Sequence, residues 1–166
     1  MNQVTHDKAE PGRNAATTER TSDRELVVTR RFDAPARLLF KAWTTADLFR
    51  QWWIPKSFGL TLVSCEMDAR VGGGYRLEIA VPGSEQIMAF FGSYIEVVPD
   101  TRISWTNEES ADGAVTTVTF AEHGGRTTVV VHDLYPSKEA LDNEIASGAT
   151  SGMRETLDQL EIFLRT

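Results

Sequence analysis

The chain has one cysteine, Cys65, and cannot close a disulfide within itself, which fits a reducing compartment and sets cytoplasmic location as the expectation. It has three histidines, and no His or Cys pair falls at a metal-ligand spacing, so neither metal nor cofactor is expected. No apolar stretch approaches the roughly 18 residues of a spanning helix, so no membrane insertion is expected. The opening MNQVTHDKAEPGRNAATTERTSD has no hydrophobic region of the signal-peptide kind. Basic residues are in the minority, 17 Lys and Arg against 24 Asp and Glu, for a net charge of −7. Such a chain has little means of releasing counterions from nucleic acid or an anionic bilayer, so neither is expected as a partner. Large apolar residues are also scarce before Arg24, and residues 1–23 are therefore expected to be a disordered polar tail. The remaining residues 24–166 suit a single domain.

What the domain does have is strand pattern. RELVVTRRF (24–32) is rich in branched residues and reads as a strand. DAPARLLFKAW follows, with Asp33 as a candidate helix cap, Pro35 in the first turn, and Leu38, Leu39, Ala42 and Trp43 on one helical face. TTADLFRQWWIP restarts with a threonine cap and a short helix ending before Pro55. Five or six further strands are expected. FGLTLVSCEM alternates Leu60, Leu62 and Ser64 against Thr61, Val63 and Cys65; Tyr75, Leu77 and Ile79 alternate with Arg76 and Glu78. Gly124-Gly125 marks a hairpin. The last stretch is helical, with Met153, Leu157, Leu160 and Leu164 spaced for one face and Gly148 and Gly152 as interruptions. Only that final helix is long enough to cover the apolar face of the meander.

The run VGGGYRLEI raises a separate possibility, a phosphate-cradling loop. Such loops lead from a strand into a helix, whose N-terminal amides hold the anion. Here a strand follows Gly72-Gly73-Gly74, and the lysine and Ser/Thr of the nucleotide-binding signature are missing. The glycines are read as a turn and bulge that bend a sheet.

Four segments carry a family resemblance: FDAPARLLFKAWTTADLFRQWW, DARVGGGYRLEI, FFGSYIEVVPDTRISWT and SGMRETLDQLEIFL. In this order they resemble the START-like (SRPBCC) superfamily, in the branch similar to the C-terminal domain of the activator of the heat-shock protein 90 ATPase. The resemblance implies an α+β helix-grip fold: a curved antiparallel sheet wrapped around a long C-terminal helix, with two short helices after strand 1. It also implies a cavity between sheet and helix that accepts a small hydrophobic molecule. One departure stands out, since that branch usually has Gly-Trp where this chain has Gly152 followed by Met153, a flexible side chain that adapts to irregular space.

The aromatic load supplies cavity candidates: Trp43, Trp52, Trp53 and Phe58 around the helix pair, Tyr75, Leu77, Phe91, Trp105 and His132 from the sheet, and Met153 and Leu157 from the last helix. Taken singly, each ring also suits plain core packing. Polar anchors are sought among Arg76, Glu78, Arg102, His132 and Asp133, although alternation sets Arg76 and Glu78 opposite Tyr75. No catalytic residue is assigned. The leading reading is a ligand-binding, carrier or stress-response domain. One alternative is a chaperone-interacting module like the ATPase activator. The other is a cyclase- or hydrolase-type enzyme working through a lone buried acid or base, with His132 and Glu66 as candidates. A monomer and a homodimer both fit.

Overall fold

The computed structural model describes residues 14–166. Branched and aromatic residues at alternate positions give eight strands: β1 (Thr17–Ser22), β2 (Glu25–Phe32), β3 (Thr61–Met67), β4 (Gly74–Ala80), β5 (Ile87–Val98), β6 (Arg102–Thr106), β7 (Val115–His123) and β8 (Arg126–Leu134). Two helices, α1 (Ala36–Thr44) and α2 (Ala46–Phe49), follow β2, and a 3-10 turn covers Lys56–Phe58. The chain closes with α3 (Lys138–Ser147), a 3-10 turn at Ala149–Ser151 and α4 (Gly152–Leu164). All eight strands form one antiparallel sheet in the order β1-β2-β8-β7-β6-β5-β4-β3, with β1 and β3 at its edges. The sheet curves, and its inner face buries Val28, Phe32, Leu77, Ile103, Val118 and Val131 in one cluster with Leu157 and Leu160 of α4. This is the α+β helix-grip architecture that the resemblance implies.

The polar tail needs correcting. Part of it, residues 1–13, lies outside the described residues. The rest does not stay free: Thr17–Ser22 pairs with β2, and Ala16 is 2% exposed in the main core. All six β1 residues are exposed, so composition gave no sign of a strand whose stabilisation comes from backbone pairing on an exposed edge. The Asp33 cap is not made either. Asp33 pairs with Arg126 at 3.1 Å, and the first amide of α1, that of Ala36, donates instead to Glu122 Oε1 from the end of β7 (2.8 Å). No threonine side chain caps α2. The terminal helical stretch is two helices, because Gly148 at φ +82° ends α3.

In β3 the expected alternation holds only as far as Leu62. The register with β4 slips between Leu62 and Ser64, an extra residue that turns Cys65 and Met67 toward the core. The bulge is there, not at the glycine run. Gly72 and Gly73 form the turn between β3 and β4, Gly72 at φ +88° and Gly73 close enough to Asp68 that a Cβ would fall 2.1 Å from its carbonyl oxygen. Their backbone also docks on β5, with Gly72 N–H donating to Tyr94 O and Tyr94 N–H to Gly73 O. No helix follows, so nothing there resembles an anion cradle.

Gly92 sits where β5 passes from pairing with β4 to pairing with β6. A Cβ there would lie 1.9 Å from the Thr106 carbonyl oxygen and 2.9 Å from Tyr75 Cε2. Gly92→Ala is expected to lower stability by about 1–3 kcal/mol, since backbone has to move to admit the methyl group. Urea denaturation measures this, and an unchanged midpoint would show that β5 and β6 are not so closely apposed.

Candidate functional site

Helix α4 fastens the segment that follows α2. Gln159 Nε2 donates to the carbonyl oxygens of Trp52 and Ile54, both at 2.9 Å, and its Oε1 accepts from Lys56 N–H at 2.8 Å. Thr156 Oγ1 donates to Trp53 O at 3.0 Å, and the Glu155 carboxylate accepts from the amide and hydroxyl of Ser57. These bonds hold Trp53, Ile54, Pro55 and Phe58 as a wall beside α4. Gly152 makes room for it, because a Cβ there would come within 2.8 Å of Phe58 Cζ and 3.2 Å of Pro55 Cγ.

Between this wall, α4 and the sheet lies a cavity of about 370 Å³. Its apolar surface comes from Trp53, Ile54, Pro55 and Phe58 together with Met153 of α4. The sheet contributes Leu26, Val28, Ile79, Phe90 and Trp105. Phe58 is 46% exposed although it is a large apolar ring. A smaller space of about 90 Å³ adjoins, sharing Trp53, Phe90, Trp105 and Asn107 and adding Trp43, Tyr75, Leu77 and Tyr94. The indole Nε1 of Trp43, a residue lining this space, is buried without a hydrogen-bond partner among the described residues.

A polar chain crosses the sheet along the cavity. The Tyr75 hydroxyl lies 2.8 Å from Thr106 O and 3.0 Å from Asn107 Oδ1; Asn107 Nδ2 donates to Ala114 O and Thr116 Oγ1; Thr116 Oγ1 donates to Asp133 Oδ1 at 2.5 Å. Asp133 comes from β8, in phase with the buried Val129 and Val131, and sits opposite Thr116 of β7. Burial pushes its carboxyl up to about 6, partly offset by the bond from Thr116. Glu144 of α3 is raised as well, by burial and by the neighbouring Glu109, and burial pushes the Tyr135 phenol far up.

The expected cavity residues divide three ways. Trp53, Phe58, Trp105 and Met153 line the large space, and Trp43, Tyr75 and Leu77 the small one. Trp52 and Leu157 are core residues lining neither. Trp52 is fully packed with its Nε1 donating to Ala42 O, and Leu157 is 0% exposed. Phe91 and His132 point to the other face of the sheet. Phe91 lies under the Arg76 guanidinium, while His132 Nε2 pairs with Glu25 at 2.8 Å. Both are one residue out of phase with a true lining residue, Phe90 and Asp133.

Of the anchor candidates, Asp133 alone reaches the cavity; Arg76 bonds Glu78, and Arg102 forms an ion pair with Glu96. Sequence reasoning missed Asn107, Thr116, Tyr135 and Glu144. Thr116 had a signal, its in-phase position with Val118 and Phe120 on β7, whereas Asn107 and Glu144 come from a loop and a weakly patterned helix. Among the described residues no cluster of three or more His, Cys, Asp or Glu could hold a metal ion, and no helix is long and apolar enough to cross a membrane.

The sequence matches the family described as Activator of Hsp90 ATPase homolog 1-like protein over residues 33–165. No curated protein matches. Among solved structures, a protein from Rhodobacter sphaeroides superposes with a TM-score of 0.82 at 22% identity, over 90% of this chain and 97% of that one. One from Nitrosomonas europaea has a TM-score of 0.79 at 19% identity, over 88% and 97%. One from Staphylococcus epidermidis is 29% identical with a TM-score of 0.74, over 90% and 93%.

Proposed function

Since the chain belongs to the Activator of Hsp90 ATPase homolog 1-like family, we propose that it is a cytoplasmic binding protein for a small hydrophobic molecule held between the sheet and α4. The cavity of about 370 Å³ carries this reading. It falls in the range of small-molecule sites, and like them has apolar and aromatic walls with a few polar groups. A tightly packed domain core leaves no comparable space. The loss of apolar surface from water on binding would supply the affinity, at about 25 cal/mol per Å² before ordering costs.

The test uses the neutral fluorophore N-phenyl-1-naphthylamine. Its emission is expected to rise to saturation at one probe per chain. Met153→Trp, which extends a bulkier side chain into the cavity, should weaken binding by about tenfold or more while the protein stays folded. A titration that never saturates, or affinity unchanged in the variant, contradicts a site at this place.

Asp133 favours a second reading, proton transfer to or from a bound molecule, because a carboxyl titrating near 6 sits close to working pH inside an apolar space. It replaces His132 and Glu66 as the candidate acid or base, since neither lines the cavity. A chaperone-engaging role has only the family's description behind it.

A further inference from the structure

The ionisable side chains that line the large cavity are Glu109, Asp112, Asp133 and Glu144; among the described residues no lysine, arginine or histidine joins them. An apolar pocket of this kind would ordinarily be open to fatty acids, phosphate esters and amines alike. Here the charge of the lining has one sign. Building on the reading of this cavity as a ligand site, we infer that its preferred occupant is an amphipathic amine, with the ammonium against Asp133 and Glu144 and the hydrocarbon against Trp53, Phe58 and Met153.

The acids feel one another: Glu144 raises Asp133, and Glu109 raises Glu144. An anionic headgroup would join a set of like charges in a space where water screens poorly. A cation relieves the same repulsion. Asp133 is also left with capacity to accept. Among the described residues its one protein hydrogen bond is from Thr116 to Oδ1, so Oδ2 is available to an N–H donor. Among the described residues no cation lines this space, and the nearby Arg24 is engaged, its Nε donating to Tyr135 O at 2.8 Å. Facing Asp133 are Thr116 from β7, Glu144 from α3, and Tyr135 beyond β8, while Glu109 and Asp112 come from the β6–β7 loop. His132 acts to lower Asp133 but lies on the opposite face, paired with Glu25. The Trp105 and Phe90 rings line the same space, and a cation over either face would gain further attraction.

The pH dependence has a definite sign. The Asp133 carboxyl ionises as pH rises through about 6. The ammonium of an aliphatic amine is charged throughout that range. Amine affinity therefore rises with pH across it, and the preference over a neutral headgroup shrinks below it.

Isothermal titration with decylamine, decanol and decanoate tests this, since the three share one tail. Near pH 7.5 decylamine is expected to bind about tenfold or more tighter than decanoate, with decanol between them. The amine's advantage over decanol should fall near pH 5, and also in Asp133→Asn, which keeps an oxygen to accept from Thr116, and in Glu144→Gln. Decanoate binding as tightly as decylamine overturns the amine preference and leaves the cavity reading standing. An advantage that survives both substitutions and low pH overturns it too. Saturable binding by none of the three overturns the cavity reading itself, and the preference with it.

Discussion

Replacing Asp158 and Glu161 together by alanine is expected to lower the unfolding free energy by about 3–5 kcal/mol, the loss seen when a buried ion keeps its charge and loses its partners. The ion is Arg30. It projects from β2 on the buried side of the strand, its side chain 5% exposed, with its guanidinium 5.0 Å from the Phe32 ring centroid. Its two terminal nitrogens pair with Asp158 and Glu161, one turn apart on α4, and its Nε has no partner among the described residues. Glu161 is the more enclosed acid at 17% exposure and carries more of the effect; Asp158 is open to water and screened. The pair of acids thus does two things, neutralising a charge beneath the helix and setting the turn of α4 that faces β2. Urea denaturation reads the loss. Adding Arg30→Met should recover most of it, because an apolar side chain of similar length needs no counter-charge. A triple variant no more stable than the double one would show that α4 does not depend on this charge.

Leu157→Ala is expected to cost about 2–5 kcal/mol, the lost transfer of a buried leucine plus the hole left behind. Leu157 is wholly buried in the main core cluster and lines neither cavity. Probe affinity in the folded variant should therefore change little, the reverse of Met153→Trp, which is aimed at affinity. A Leu157→Ala protein of ordinary stability, or one that loses probe binding while folded, would move the boundary between core and cavity.

The period-two pattern of the strands and the 3.6-residue spacing of Leu157, Leu160 and Leu164 made the helix-grip legible before any coordinates. Patterns of that kind report which face is buried, and the sheet and α4 are defined by their buried faces. β1 escaped because it buries none of its side chains. The turn of Cys65 and Met67 toward the core escaped because one extra residue in β3 reverses every later position. The same parity error explains the two sheet candidates that face away. Taking Phe91 for Phe90, and counting His132 with its neighbour Asp133, was in each case a shift of a single residue. Trp52 and Leu157 failed for a different reason: periodicity separates inside from outside, and says nothing about which inside positions border a void. That distinction depends on side chains far apart in sequence, as when Gly152 leaves space for Phe58 and Pro55.

The most direct measurement is the set of intermolecular NOEs in the saturated complex with N-phenyl-1-naphthylamine. The probe's aromatic protons are predicted to show NOEs to the Met153 methyl group and to the indole protons of Trp53 and Trp105. A saturated complex whose NOEs fall instead on the outer face, at Phe91 or His132, would contradict a ligand held between the sheet and α4.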